Sequence, residues 1–116
     1  MTTFFNGDIG FQTATATILS SATSSDTIQL NGFGMVGIIL PGALTSTAMT
    51  FTGSQDGTTF SALYNVSGTQ LAITVAASRI VLFSPGDFVG INYLRLVAGT
   101  AEAADRAIQV ISRSFT

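Results

Sequence analysis

The sequence contains no cysteine, no histidine, no tryptophan and no lysine. Without cysteine or histidine there are no zinc sites, thiol nucleophiles, Ser-His-Asp triads or imidazole acid–base chemistry. Without lysine there is no Schiff base and no phosphate-loop lysine. Charge is scarce as well: four arginines oppose six carboxylates, for a net charge of −2, and only 9% of the 116 residues are charged. An average soluble protein carries about 25%. Four dispersed arginines leave no basic footprint for nucleic acid, whose phosphates require clustered positive charge. The longest apolar run, residues 32–44, is broken by Pro41-Gly42 and is too short to span a bilayer, which takes roughly 20 residues.

Hydroxyls stand where the charges are missing. Seventeen threonines and twelve serines accompany a 47% hydrophobic content. A chain of this mass exposes roughly 6,000 Å² when folded, and ten charged side chains cannot cover that area. Such a nearly neutral surface has little self-repulsion and favours association. The start, Met1-Thr2-Thr3-Phe4-Phe5-Asn6-Gly7-Asp8, has neither the basic nor the apolar region of a secretory signal. Synthesis in the cytosol is therefore expected, and the Asn65-Val66-Ser67 sequon carries no weight.

Short β-rich segments recur every 8–12 residues or so, separated by Gly, Ser, Asn and Asp. They are Thr13 to Leu19, Thr27 to Leu30, Met35 to Leu40, Ala48 to Gly53, Phe60 to Asn65, Gln70 to Val75, Ile80 to Phe83, Tyr93 to Val97 and Arg106 to Arg113. Threonine alternates with alanine in the first, which predicts one hydroxyl face. Met35 to Leu40 has no polar residue, which predicts burial on both sides. Asp56-Gly57 and Ser67-Gly68 mark turns. Ser84-Pro85-Gly86-Asp87 predicts a single helical turn through Phe88. Ala101 to Ala107 has good helix propensity but is expected to form a loop crossing between two sheets. The fold class is all-β: a jelly-roll-like antiparallel sandwich of about eight short strands. Residues 1–12 form an N-terminal arm and residues 13–116 the sandwich.

Gly32-Phe33-Gly34-Met35-Val36-Gly37 matches the dinucleotide-binding string GxGxxG. That motif works only where it opens a helix, and here it leads into Ile38-Ile39-Leu40-Pro41. Its glycines are expected to permit close packing in a bulged strand. The acids Asp8, Asp26, Asp56, Asp87, Glu102 and Asp105 show no calcium-loop spacing, and only in principle could two of them supply a glycosidase pair. Four of them sit where a carboxylate bonds its own turn or caps a segment. No catalytic, cofactor-binding or metal-ligating residue is assigned, no cofactor is expected, and the chain is not expected to be an enzyme.

The candidate interaction residues are Phe4, Phe5, Phe11, Arg79, Arg95 and Arg113. Three phenylalanines ahead of the first clear strand either plug the end of their own sandwich or dock on a neighbour. The arginines either pair with Asp87, Glu102 or Asp105 or reach across an interface, where arginine is favoured.

An ordered set of segments supports a family resemblance. Gly34-Met35-Val36-Gly37-Ile38-Ile39-Leu40-Pro41, Met49 to Phe60 with its Ser54-Gln55-Asp56-Gly57 centre, Ala76-Ala77-Ser78-Arg79 and Tyr93-Leu94-Arg95-Leu96 together resemble small tailed-phage and prophage virion proteins. The match runs through most of residues 13–114 and leaves out the N-terminal arm. The resemblance implies a β-sandwich capsid decoration, or cement, protein on the virion surface. It also implies the major capsid protein and further copies of itself (a trimer or dimer) as partners, without nucleic acid or membrane. The alternative is a carbohydrate- or receptor-binding module of a tail or head fibre, with Tyr93 as its aromatic. Scarce tyrosine and absent tryptophan weigh against it.

Overall fold

The computed structural model describes residues 10–84 and 86–114. Among these residues nine strands form two antiparallel sheets: β1 (Phe11–Ile18), β2 (Ile28–Gln29), β3 (Gly34–Ile39), β4 (Ala48–Ser54), β5 (Ser61–Ala62), β6 (Ala72–Thr74), β7 (Ile80–Leu82), β8 (Tyr93–Ala98) and β9 (Arg106–Arg113). One sheet has the order β1-β9-β3-β7. The other runs β2-β8-β4-β5, with β6 also on β4. Because β5 and β6 pair successive stretches of β4, at Thr52–Gly53 and at Ala48–Thr50, they share one position. The result is two four-position layers wound as a jelly roll, as the strand spacing predicts.

Alternation determines which way each strand faces. In β1, Ala16 and Ile18 are buried while Thr13 and Thr15 lie outside. In β8, Leu94 and Leu96 point inward, and in β9 Ile108 and Val110 do so. The two inner faces meet in one core, closed by Met35, Ile38, Met49 and Phe51. At one end Phe51, Phe83 and Phe88 pack edge to face, with centroids 5.0–5.7 Å apart, the arrangement their ring quadrupoles prefer.

Three expectations need correction. The β3 segment is buried on one face only; Val36 and Ile39 on the other are half-buried, because a β-sandwich covers each sheet once. The helical turn expected over Ser84 to Phe88 includes Pro85, which lies outside the described residues; on either side of it the Asp87 N–H donates to the Ser84 carbonyl at 3.1 Å, and residues 86–90 form a turn rather than a helix. Phe88 drops into the core instead, and Gly90 follows with φ +95°. Phe60 to Asn65 is strand only at Ser61–Ala62, joined by a bridge between Tyr64 and Gln70. Residues 101–105 form a loop, and β1 begins at Phe11, two residues before the expected boundary.

Of the GxGxxG glycines Gly37 serves packing, as expected, whereas Gly32 stands in open space with φ +83°. A Cβ on Gly37 would lie 3.0 Å from Leu82 Cδ2 and 3.1 Å from the Val81 carbonyl oxygen. Only hydrogen allows β7 to approach β3 there.

Candidate interaction surface

Glu102 is buried at the end of the sandwich where three loops cross between the sheets. Its carboxylate accepts the Thr45 N–H at 2.8 Å and the Ser46 N–H at 3.0 Å. It also receives the Arg106 Nε at 3.0 Å. Its own N–H donates to the Ala22 carbonyl, and its carbonyl accepts from the Ser21 N–H. Burial pushes its carboxyl upward, but the donors from Thr45, Ser46 and Arg106 outweigh that and hold it at about 2.

Asp56 does comparable work in the β4–β5 turn. It accepts the N–H groups of Thr58 and Thr59 at 2.8 and 2.9 Å and the Ser54 hydroxyl at 2.9 Å. Those bonds to Thr59, Thr58 and Ser54 lower its carboxyl to about 2. Asp26 accepts the Thr17 N–H and Asp105 the Ser20 N–H, each at 2.8 Å. Four carboxylates thus fasten the chain's own loops. Among the described residues, no cluster of three acids is positioned to hold a metal. No buried side-chain nitrogen or oxygen there lacks a hydrogen-bond partner.

The arginines divide between the two sheets. Arg95, on the outer face of the five-stranded sheet, lies 4.0 Å over the Phe60 ring and donates to Thr27 Oγ1 at 3.0 Å. Arg106 pairs with Glu102, one of the partners anticipated from sequence. Arg113 sits beside Phe11 across the β1–β9 pair, its guanidinium 5.9 Å from the ring. Arg79 is exposed in the turn before β7. The candidate interaction residues are therefore not gathered into one patch. Phe11 and Arg113 share the outer face of the four-stranded sheet, Arg95 is on the opposite side, and Phe4 and Phe5 lie outside the described residues.

The register of β1, β9, β3 and β7 assembles a surface the sequence reading missed. Thr13, Ile111, Gly37 and Leu82 form one outward row, and Thr15, Gln109, Ile39 and Ile80 the next. Leu82 is 75% exposed, Phe11 68% and Ile80 62%. The matching face of the other sheet carries Thr50, Thr52, Tyr93 and Arg95. Beside that face lies a shallow hollow of about 270 Å³ lined by Gln29, Asn31, Gly32, Gln55, Asn92 and Tyr93.

Neither a protein family nor a curated protein matches the sequence. Among solved structures, the SPBc2 prophage-derived protein YomS superposes with a TM-score of 0.63 at 14% identity, covering 97% of this chain and 100% of that one. A Bacillus endospore appendage aligns with a TM-score of 0.42 at 15% identity over 98% and 97% of the two chains. The cyanophage Pam1 capsid asymmetric unit aligns at 0.42 and 14% identity over 97% and 88%. The shared fold rests on the YomS superposition, so what this chain is similar to is a jelly-roll protein of prophage origin.

Proposed function

We propose that the chain is a bacteriophage virion component, a decoration protein that binds the assembled capsid and stabilises contacts between neighbouring capsomers. The observation that carries this reading is the deployment of charge. Four carboxylates and Arg106 secure the protein's own loops, which leaves Asp87, Arg79, Arg95 and Arg113 as the other charges of the described residues, on a surface made up mainly of the hydroxyl, amide and alkyl groups suited to lasting protein contact. The prophage origin of a protein with this fold and the ordered sequence resemblance support it. The partners are the major capsid protein and further copies of the chain, and the location is the capsid surface. The work is binding without turnover. A ligand that binds only the assembled state stabilises it by mass action, about 2.7 kcal/mol per site at a hundredfold excess over Kd.

Quantitative mass spectrometry of purified particles tests this. A copy number equal to the major capsid protein, or a simple fraction of it, is expected. A few copies per particle, or none, would overturn the decoration role.

A second reading draws on the amide-lined hollow. Gln29, Asn31, Gln55 and Asn92 around Tyr93 offer donors, acceptors and one ring, which suits a neutral sugar on a fibre module. Glycan-array binding that disappears in Tyr93→Ala would favour it; no binding by the wild type would dismiss it.

A further inference from the structure

We infer that the outer face of the four-stranded sheet is where two copies of this chain pair, through Ile39, Ile80, Leu82 and Ile111, with Phe11 at the margin. The inference deepens the pairing of copies in the function proposed above, and it rests on that reading only for its biological setting. Isolated exposed apolar residues are ordinary, but a contiguous set on a flat sheet marks an interaction site. Here the set is contiguous by register: Ile111, Gly37 and Leu82 lie side by side across three strands, with Ile39 and Ile80 in the next row. Gly37 has no side chain, and Leu82 Cδ2 and Ile111 Cδ1 lean over the place its Cβ would occupy. The row is therefore low and continuous, without a ridge at its centre.

Charge selects a second copy as the occupant. A two-fold contact sets a patch against itself, so any unbalanced charge near its centre meets its own sign. Among the described residues, the outward positions of β1, β9, β3 and β7 hold no carboxylate and one cation, Arg113, at the Phe11 end. Apart from Arg79, exposed in the turn before Ile80, a partner with a charged surface would find nothing to complement over Ile39, Ile80 and Leu82, whereas the uncharged patch itself does not repel a second copy.

Area sets the strength. Strands about 4.8 Å apart and about six residues long give four strands a flat area of roughly 400 Å². Two such faces bury about 800 Å² or somewhat more, below the roughly 1,200 Å² of standard specific interfaces and in the range of weak, transient contacts. The pair is accordingly weak in dilute solution and forms where copies are concentrated, as on a shell.

Sedimentation equilibrium on the full chain tests this directly. The wild type is expected to show a monomer–dimer equilibrium that strengthens with concentration. Leu82→Arg should weaken association at least about tenfold. Thr74→Arg, exposed on the opposite sheet, should leave it unchanged. Circular dichroism checks that each variant is folded, and Ile80→Arg replaces Leu82→Arg should the latter fail. A wild type that stays monomeric up to about 500 µM, above the range of useful solution affinity, would overturn the inference. So would equal loss of association in the Leu82 and Thr74 variants. No virus particle enters the measurement. A chain that dimerises through Leu82 yet is missing from particles defeats the decoration role alone, and a monomeric chain abundant in particles defeats the pairing alone.

Discussion

On the five-stranded sheet the outward face carries Thr50, Thr52, Tyr93 and Arg95 with Val97 among them, and Arg95 is engaged within the chain, lying on Phe60 and bonded to Thr27. On the four-stranded sheet the equivalent positions are Ile39, Ile80, Leu82 and Ile111, and most of that alkyl surface faces outward. The inner faces of both sheets are ordinary core. The difference lies in the strands without alternation: β4 and β8 set Thr50, Thr52, Tyr93 and Arg95 beside Ala48 and Val97 on their outer face, while β3 and β7 carry no polar residue at all. A sandwich can satisfy such strands on one side only. Their second apolar side is left outside the core, and it is that side which the pairing inferred above would use.

The comparison can be broken most severely from within. Phe51 fills the layer that both faces rest on, and it is 1% exposed between Phe83 and Phe88. Phe51→Ala is expected to cost about 3–5 kcal/mol, measured by urea unfolding, and to disturb both faces together.

Next in size is Glu102. Glu102→Gln removes the charge shared by Thr45, Ser46 and Arg106 and should cost about 2–3 kcal/mol at neutral pH. Because its folded carboxyl lies at about 2 against an ordinary 4.5, its contribution is complete above 4.5 and lost as pH falls towards 2. Acid titration of stability should show that loss, of about 3 kcal/mol, in the wild type. The glutamine variant should show a shallower profile over the same interval.

Gly37→Ala acts on the apolar face alone. The new methyl would meet the Val81 carbonyl and Leu82, and the β3–β7 pairing should loosen by about 1–3 kcal/mol. The smallest effect is expected on the polar face. Arg95→Ala removes one exposed cation–π contact and one hydrogen bond and should cost about 1 kcal/mol or less, read from thermal melts. If Arg95→Ala proved costlier than Gly37→Ala, the polar face would be the more deeply built of the two.

The strands were legible because alternation is local. β1, β8 and β9 declare their inward residues over a few positions, and Asp56-Gly57 declares its turn through the positive φ that glycine takes there, +81°. The interaction surface was not legible, for a geometric reason. Leu82 neighbours Ile111 and Gly37 only through the pairing of three strands that lie far apart in the chain. Glu102 was read as one acid of a dispersed set because Thr45 and Ser46 stand 57 and 56 residues away. The Phe60 ring beneath Arg95 is hidden in the same way. Of the six residues chosen from sequence, Phe11 and Arg113 fall on the apolar face because they occupy paired ends of the two longest strands, β1 and β9.

That same pairing fixes where polypeptide can be added. The Ser114 N–H donates to the Gly10 carbonyl at 2.8 Å, so Gly10 and Ser114 lie side by side at one corner of the sandwich. A short linker joining Ser114 to Gly10, with a new opening at the Asn65–Gly68 turn, would give a rearranged chain order that keeps every strand pair of both sheets.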